Sequence, residues 1–486
     1  MRLWGNKRVM SNKSLAPYKA YKATSIPWIE SIPSHWKEER AKWLFTRLQR
    51  VPDEKDDVVT CFRDGVVTLR KNRRTSGFTE SLKEIGYQAV RKGELVIHAM
   101  DAFAGAIGVS DSDGKCTPVY SICKPSPNAN SHYYAFIVRE MARTGFILSL
   151  SKGIRERSTD FRFETFANQI IPLPPLDEQQ KIVNFIQQQD RRIRRFIRNK
   201  QKLIWLLEEK YRLQSERLLT HGEPCASDYQ IVEIDEPITI PAHWMAVPLV
   251  RCVTKRVDYR GATPTKTEEG VFLVTAKNVQ KGKIDYEKSK EFVAAEQYDV
   301  IMRRGKPQIN DLLFTTEAPL GNAALVDRED IALAQRIIKF TPDEAVIEPF
   351  FLLGSVLSGY FQDQLKRRAT GSTAQGIKAS KLPQLMILLP PKDEQGRLVK
   401  KLRLLIASFE FTKGKISREI ALLKEYRSRL IADAVTGKID LRSVPLEQTD
   451  ETIEEELFNI SSNGFDADTE TEVEDEELLE EAAHAN

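Results

Sequence analysis

A chain of 486 residues exceeds what one compact core serves, so two or more domains are expected. With 41% hydrophobic residues, no apolar run near 18 residues and no charged-then-apolar leader, the sequence predicts a soluble, cytoplasmic protein that neither spans a membrane nor is exported. Cys61, Cys116, Cys123, Cys225 and Cys252 are scattered without zinc spacing, which argues against a structural metal site and predicts free thiols. The net charge of +4 hides an asymmetry: of 69 Asp and Glu, sixteen lie after residue 446, where there is no Lys or Arg. The remainder is strongly basic, which suits a polyanionic partner such as nucleic acid and equally suits a well-solvated surface.

In chain order, the first feature is a lead segment ending in Ile32-Pro33-Ser34-His35-Trp36, which recurs as Ile240-Pro241-Ala242-His243-Trp244. A variable region follows each copy. In it, short apolar runs between Gly and Pro (Glu94 to Ile97, Ala106 to Val109, Gly270 to Thr275, Asp311 to Phe314, Ala323 to Val326) predict strands, and hence two mixed α/β domains. Each region ends in an extended segment, Gln169 to Leu173 or Leu385 to Leu389, and a Pro-Pro pair. Leu173-Pro-Pro-Leu-Asp-Glu-Gln179 is answered by Leu389-Pro-Pro-Lys-Asp-Glu-Gln395, 216 residues on.

Proline ahead of the first turn and carboxylates at the positive end of the dipole predict a long helix after each pair, with Gly222 and Gly437 as stops. In the second helix Leu402, Phe409, Ile416, Leu423 and Leu430 fall seven apart, with Leu405 and Tyr426 in the companion row. In the first, Ile186, Ile193 and Leu207 keep that phase, Lys200 interrupts it, and Ile182, Phe196 and Leu203 fill the other row. Matched stripes at equivalent points of a repeat predict an intramolecular antiparallel coiled-coil pair. The acidic residues after Arg442 predict a disordered tail.

No catalytic constellation emerges. Gly371 to Gly376 is followed by Ile377 and Lys378, so a phosphate-binding loop lacks its lysine at the right step and its Ser/Thr. Pro52-Asp53 is not followed by the Glu-x-Lys of a nuclease metal site, and neither Pro-Pro pair follows Asn or Asp as in an amino-methyltransferase. His35 and His243, each before a Trp, suggest structural docking rather than acid-base work.

Basic clusters carry more information: Arg70, Lys71, Arg73 and Arg74; Lys152, Arg155 and Arg157 around Gly153-Ile154-Arg155; Lys277, Lys281 and Lys283; Arg303, Arg304 and Lys306; Lys366, Arg367 and Arg368; and Lys378 in Gly376-Ile377-Lys378. Singly, each reads as a solvated face; spread over both variable regions, they favour DNA contact.

In this order and twice over, these strings resemble the specificity subunits of type I restriction-modification systems across residues 17–442. Tyr18-Lys19 through Trp36 looks like that family's amino-terminal segment. The Pro-Pro-x-Asp-Glu-Gln strings look like its two helix starts, and Ala434 to Lys438 like the end of the second helix. Gly93 to Gly108, and Asp311 through Gln335-Arg336, are similar to its target-recognition strings, which adds Arg336 to the expected DNA contacts.

The resemblance implies two α/β target-recognition domains joined by two long helices that form an antiparallel coiled-coil spacer, a pseudo-two-fold internal repeat. The expected boundaries are an amino-terminal segment at 1–37, recognition domains at 38–175 and 223–390, helices at 176–222 and 391–442, and the tail at 443–486. It implies a non-catalytic chain without cofactor that reads a split, asymmetric site in double-stranded DNA. Two modification (methyltransferase) subunits would methylate adenine from S-adenosylmethionine. Restriction (translocase/nuclease) subunits would use ATP and Mg²⁺. The rival classes are a transcriptional regulator, which should show a compact helix-turn-helix or a ligand pocket, and a stand-alone methyltransferase-nuclease.

Overall fold

A computed structural model describes residues 15–73, 85–150, 160–223, 228–259, 264–371 and 375–445. The chain divides into two compact units, Met1–Arg195 with Leu423–Asn486, and Phe196–Leu422.

In the first unit a four-stranded antiparallel sheet is formed by β1 (Phe45–Leu48), β2 (Leu95–His98), β3 (Ile107–Val109) and β4 (Tyr120–Pro125), in the spatial order β1-β4-β2-β3. The helix α1 (Ser131–Arg143) starts where the Asn130 side chain accepts the amide hydrogens of His132 and Tyr133, and it buries Tyr133, Tyr134, Ile137, Val138 and Met141. The long α2 (Leu176–His221) begins in this unit.

The second unit repeats the layout with β5 (Val253–Asp258), β6 (Leu312–Thr315), β7 (Ala323–Leu325) and β8 (Ile337–Pro342), in the order β5-β8-β6-β7. Two short helices follow, α3 (Pro349–Leu357) and α4 (Gly359–Arg368), and then the long α5 (Lys392–Val435). The strands fall within a residue or so of the apolar runs that predict them. The extended segments before the Pro-Pro pairs are strands as well, Ile170–Leu173 pairing with Lys37–Arg40 and Met386–Leu389 with Met245–Pro248.

The repeated motifs meet one another. Near the start of α2, the carboxylate of Glu178 accepts from Trp36 Nε1 at 2.8 Å and from the Tyr18 hydroxyl at 3.2 Å, and it lies 2.8 Å from His35 Nε2. Near the start of α5, Glu394 accepts from Trp244 Nε1 at 3.2 Å and lies 2.7 Å from His243 Nε2. Both tryptophans are fully buried, so each indole N–H needs an acceptor, and the Glu of Asp-Glu-Gln supplies it. Gln179 and Gln395 act alike. Each accepts a backbone N–H, from Asn130 or Glu348, at 2.8 Å, and each donates to two carbonyls, of Asn128 and Pro174 or of Val346 and Pro390. The two histidines dock the lead strings, as expected of them.

Gly222 and Gly437 sit just past the helix ends at φ +66° and +75°, and a Cβ on either would come within 2.9 Å of the buried Trp244 or Trp36. In the first unit the segment ahead of the first repeated string is tied to the one just after α5, where the Asp440 N–H donates to Ala16 O at 2.8 Å.

The long helices pair antiparallel. Asp190 bonds to Arg427 in the first unit; in the second, Lys200 meets Glu419 at 2.5 Å, Glu208 meets Lys413 at 2.8 Å, and Tyr211 stacks on Phe409 at 4.9 Å. As numbers rise on one helix they fall on the other. Ile182, Ile186, Ile193, Leu402, Ile416 and Leu430 are buried, with Leu207, Phe409 and Leu423 half-buried. The lysine that interrupts the first stripe is thus a cross-helix ion pair.

One detail differs from expectation: Phe196, Leu203 and Tyr426 are exposed. Ile197 is buried in place of Phe196. A helix of 3.6 residues per turn carries the buried row four places beyond Ile193, which leaves the residue three places on at the flank.

Candidate DNA interface

In the second unit a loop cluster forms beyond the end of β6. The backbone of residues 316–322 turns through Ala318 and Gly321, both at positive φ. The Thr316 N–H donates to Arg336 O at 3.0 Å, and the Ile377 N–H donates to Thr316 O at 3.0 Å. Arg336 itself is left-handed (φ +75°) just before β8, an unusual conformation for arginine that exposes its side chain, and its Nε donates to Glu317 at 2.9 Å.

Thr370 and Gly376 exchange two backbone hydrogen bonds, which presents the exposed Lys378 beside the same loop. A third segment is tied on by the Gly282 N–H to Ala323 O at 2.8 Å and by Asn322 Nδ2 to Val279 O at 2.9 Å. This segment carries Lys277, Lys281 and Lys283 around the buried Asn278, whose amide holds Asp285 O and Ser289 O. Lys277, Arg336 and Lys378, far apart in sequence, are therefore on one connected set of loops.

Below them the fully buried Lys339 pairs with Asp311. Asp311 also accepts from the Thr341 hydroxyl at 2.6 Å and from the Gln308 N–H at 2.8 Å, locking β8 to the start of β6.

The other basic residues of this unit lie elsewhere. Arg303 is exposed and Arg304 donates to Asp258 O at 2.6 Å. Arg367 pairs with Glu236, and Arg368 with Asp235 at 2.8 Å, whose carboxyl the guanidinium holds below its usual range. These two charges brace the turn between strands Tyr229–Ile234 and Glu236–Pro241.

The first unit has the same backbone connections. The Ala99 N–H donates to Val119 O at 3.2 Å and the Phe161 N–H to Ala99 O at 3.1 Å, after the end of β2. Phe161 stands 216 residues before Ile377, the offset of the Pro-Pro strings. Phe161 therefore takes the place of Ile377, while Gly153-Ile154-Arg155, the string matched to Gly376-Ile377-Lys378, lies outside the described residues. Lys152, Arg155 and Arg157 lie outside the described residues, as does Arg74.

Arg70 and Lys71 are on a 3-10 turn, Arg70–Asn72, that follows strand Val67–Leu69, and Arg73 caps its end. Lys71 pairs with Asp57 at 2.5 Å, and Arg73 pairs with Asp64 at 2.8 Å with its guanidinium 4.5 Å from the Phe62 ring centre.

A further group at the end of β2 was not among the sequence candidates. His98 Nδ1 accepts the Asp101 N–H at 3.0 Å, Arg63 reaches Asp101 at 3.3 Å, and the Tyr120 ring meets the imidazole edge-on at 4.7 Å. Burial lowers the His98 pKa, Arg63 adds to that, and Asp101 opposes it. Only the histidine before an Asp-x-x-x-Gly turn, Asp101 to Gly105, hinted at it.

The arrangement presents cations on loops held by rigid sheets, which is suited to phosphate and base-edge contact. Among the described residues no group of His, Cys, Asp and Glu is placed to hold a metal, and no helix is long and apolar enough to cross a membrane.

The family model of the type I restriction modification DNA specificity domain matches residues 69–204 and 266–422, together more than half of the chain. The MjaVIII type I restriction enzyme specificity subunit of Methanocaldococcus jannaschii is 24% identical over 322 residues, covering 64% of this chain and 70% of its own. The EcoBI specificity subunit of Escherichia coli is 23% identical over 289 residues, 57% and 59%. A chain solved in a study of complex assembly and conformational transition of the type I R-M system shares the fold, with a TM-score of 0.61 at 16% identity over 84% of this chain and 99% of that one. With its duplicated α/β units, each followed by a long helix, this chain belongs to the type I restriction-modification specificity subunits, whose task is DNA sequence recognition.

Proposed function

We propose that this chain is the non-catalytic reading scaffold of a type I complex in the cytoplasm, with residues 38–175 and 223–390 each reading one part of a two-part, asymmetric DNA site. The observation that carries this reading is the pair of loop clusters built on the same backbone connections but bearing different side chains. Arg336 stands where the first unit has Val119, and Thr316 where it has Ala99. Two readers of equal frame and unequal chemistry recognise a site without palindromy.

The helices α2 and α5 set the unread gap. At about 1.5 Å per residue, α2 is on the order of 70 Å long, comparable with two turns of DNA at roughly 34 Å each. Two modification subunits dock on this scaffold and methylate adenine from S-adenosylmethionine; restriction subunits supply ATP-driven translocation and Mg²⁺-dependent cleavage. Docking is supported by Leu404, Phe411 and Leu422 of α5, which are 58–72% exposed at spacings of seven and eleven on one face turned from the seam.

The test is to exchange residues 38–165 for another reader, co-produce the chain with its modification subunits, and sequence the methylated sites. One part of the site is expected to change and the other to persist. Changes in both parts, or methylation that ignores this chain, would overturn the reading.

A further inference from the structure

The middle of α2 carries charge that the loop clusters do not use. Residues 191–207 hold Arg191, Arg192, Arg194, Arg195, Arg198, Lys200 and Lys202 and no Asp or Glu. Arg194 pairs with Asp190 at 2.8 Å and Lys200 with Glu419 at 2.5 Å. Arg191, Arg195, Arg198 and Lys202 follow at i, i+4, i+7 and i+11. In a helix this gathers them within about 60° of arc, on the side away from the buried Ile193 and Ile197. All four are exposed, and Arg191, Arg195 and Lys202 have no ion-pair partner among the described residues. Like charges at i, i+4 oppose helix formation, so the stripe is a cost to the free helix that a polyanion would remove.

The stripe spans eleven residues, about 16 Å, which matches about five phosphates of one DNA strand at roughly 3.4 Å each. It offers a uniform row of cations, a chemistry that positions a backbone and reads no bases. We propose that it grips the sugar-phosphate backbone of the DNA between the two recognised parts, holding the unread gap against the helix. This rests on the function proposed above, which places a gap between two readers, and goes beyond it by giving the gap a binding surface.

The test uses the full chain in its complex with modification subunits and the variant Arg191→Gln, Arg195→Gln, Lys202→Gln, since glutamine keeps helix propensity close to that of Arg and Lys. Binding to a duplex carrying the selected site is measured against salt. The variant is expected to bind on the order of 10- to 100-fold more weakly at physiological salt, to lose about two to three from its log-log salt slope, and to keep its base preferences. Methylphosphonates placed only in the gap should weaken the parent similarly and add little to the variant's loss. An unchanged slope would overturn the proposal, and so would gap methylphosphonates that weaken parent and variant alike. A variant that no longer assembles with its modification subunits, while its own salt-dependent DNA binding is intact, would assign the stripe to an acidic protein surface and overturn it too. Failure of the parent to select any two-part site would instead overturn the function proposed above.

Discussion

The two units differ least where the chain closes on itself and most where it faces outward. Both hold a buried Trp and a His on the glutamate of Asp-Glu-Gln, and both place a glutamine at the same three backbone groups. Around the shared four-stranded sheet the smaller pairings diverge: Gly114–Cys116 pairs antiparallel with Gln88–Val90, whereas Ile331–Leu333 pairs parallel with Val271–Val274. At the loop cluster the same hydrogen bonds carry Val119 in one unit and Arg336 in the other. A backbone frame held by buried polar contacts can thus be repeated while the side chains it presents vary independently, which is the physical requirement for two separate readers.

The shared frame can be broken most strongly at its carboxylates. Glu178→Ala leaves the buried Trp36 indole, the Tyr18 hydroxyl and His35 without their acceptor, and is expected to cost about 3 kcal/mol; Glu394→Ala, which strands two partners rather than three, about 2 kcal/mol. Denaturant unfolding of both variants checks the order. Equal losses would show that Tyr18 adds nothing to the first clasp.

The divergent part breaks more gently. Arg336→Ala is expected to relax the preference for bases in one part of the site by about 1–3 kcal/mol and leave the other untouched, while Val119→Ala relaxes neither. Selection from a randomised duplex library decides this base by base. Loss of preference in both parts on changing Arg336 would mean that the clusters do not read separately.

Much of this architecture was legible in the sequence because it rests on local rules. Pro-Pro followed by Asp-Glu marks a helix start, glycine past the last turn marks a stop, and apolar runs between Gly and Pro mark strands. The seam was legible only in part: a seven-residue count kept Phe196 and Leu203 in a row from which helical drift removes them. The loop cluster was not legible as a cluster. Lys277, Arg336 and Lys378 are joined by backbone bonds between distant segments, and nothing in their own neighbourhoods announces it. Arg367 and Arg368 show the converse, since a basic run near the right place is already paired with Asp235 and Glu236. The stripe on α2 was present as an acid-free basic run but lay in a segment read only for its apolar rows.

The smallest expected effect sharpens the comparison at one pair of positions. His98 ends β2 where Thr315 ends β6, so only the first unit places a titrating group there. Its ordinary pKa of 6.5 is lowered in the folded chain, first by burial and then by Arg63. The unfolded chain therefore takes up the proton first as pH falls. The stabilising contribution of a neutral His98 is complete above about pH 6.5 and declines below it, until the folded form protonates as well. His132, also lowered by burial, acts in the same direction within the same unit, so replacing His98 removes only part of the dependence. Asn in place of His98 keeps an acceptor near the Asp101 N–H while abolishing the charge. Amide exchange, corrected for its intrinsic pH dependence, should show β2 losing protection between pH 7.5 and 5.5 in the parent and losing less in His98→Asn, with β6 indifferent to the substitution. Equal losses in parent and variant would mean that protonation of His98 does not govern the stability of that strand.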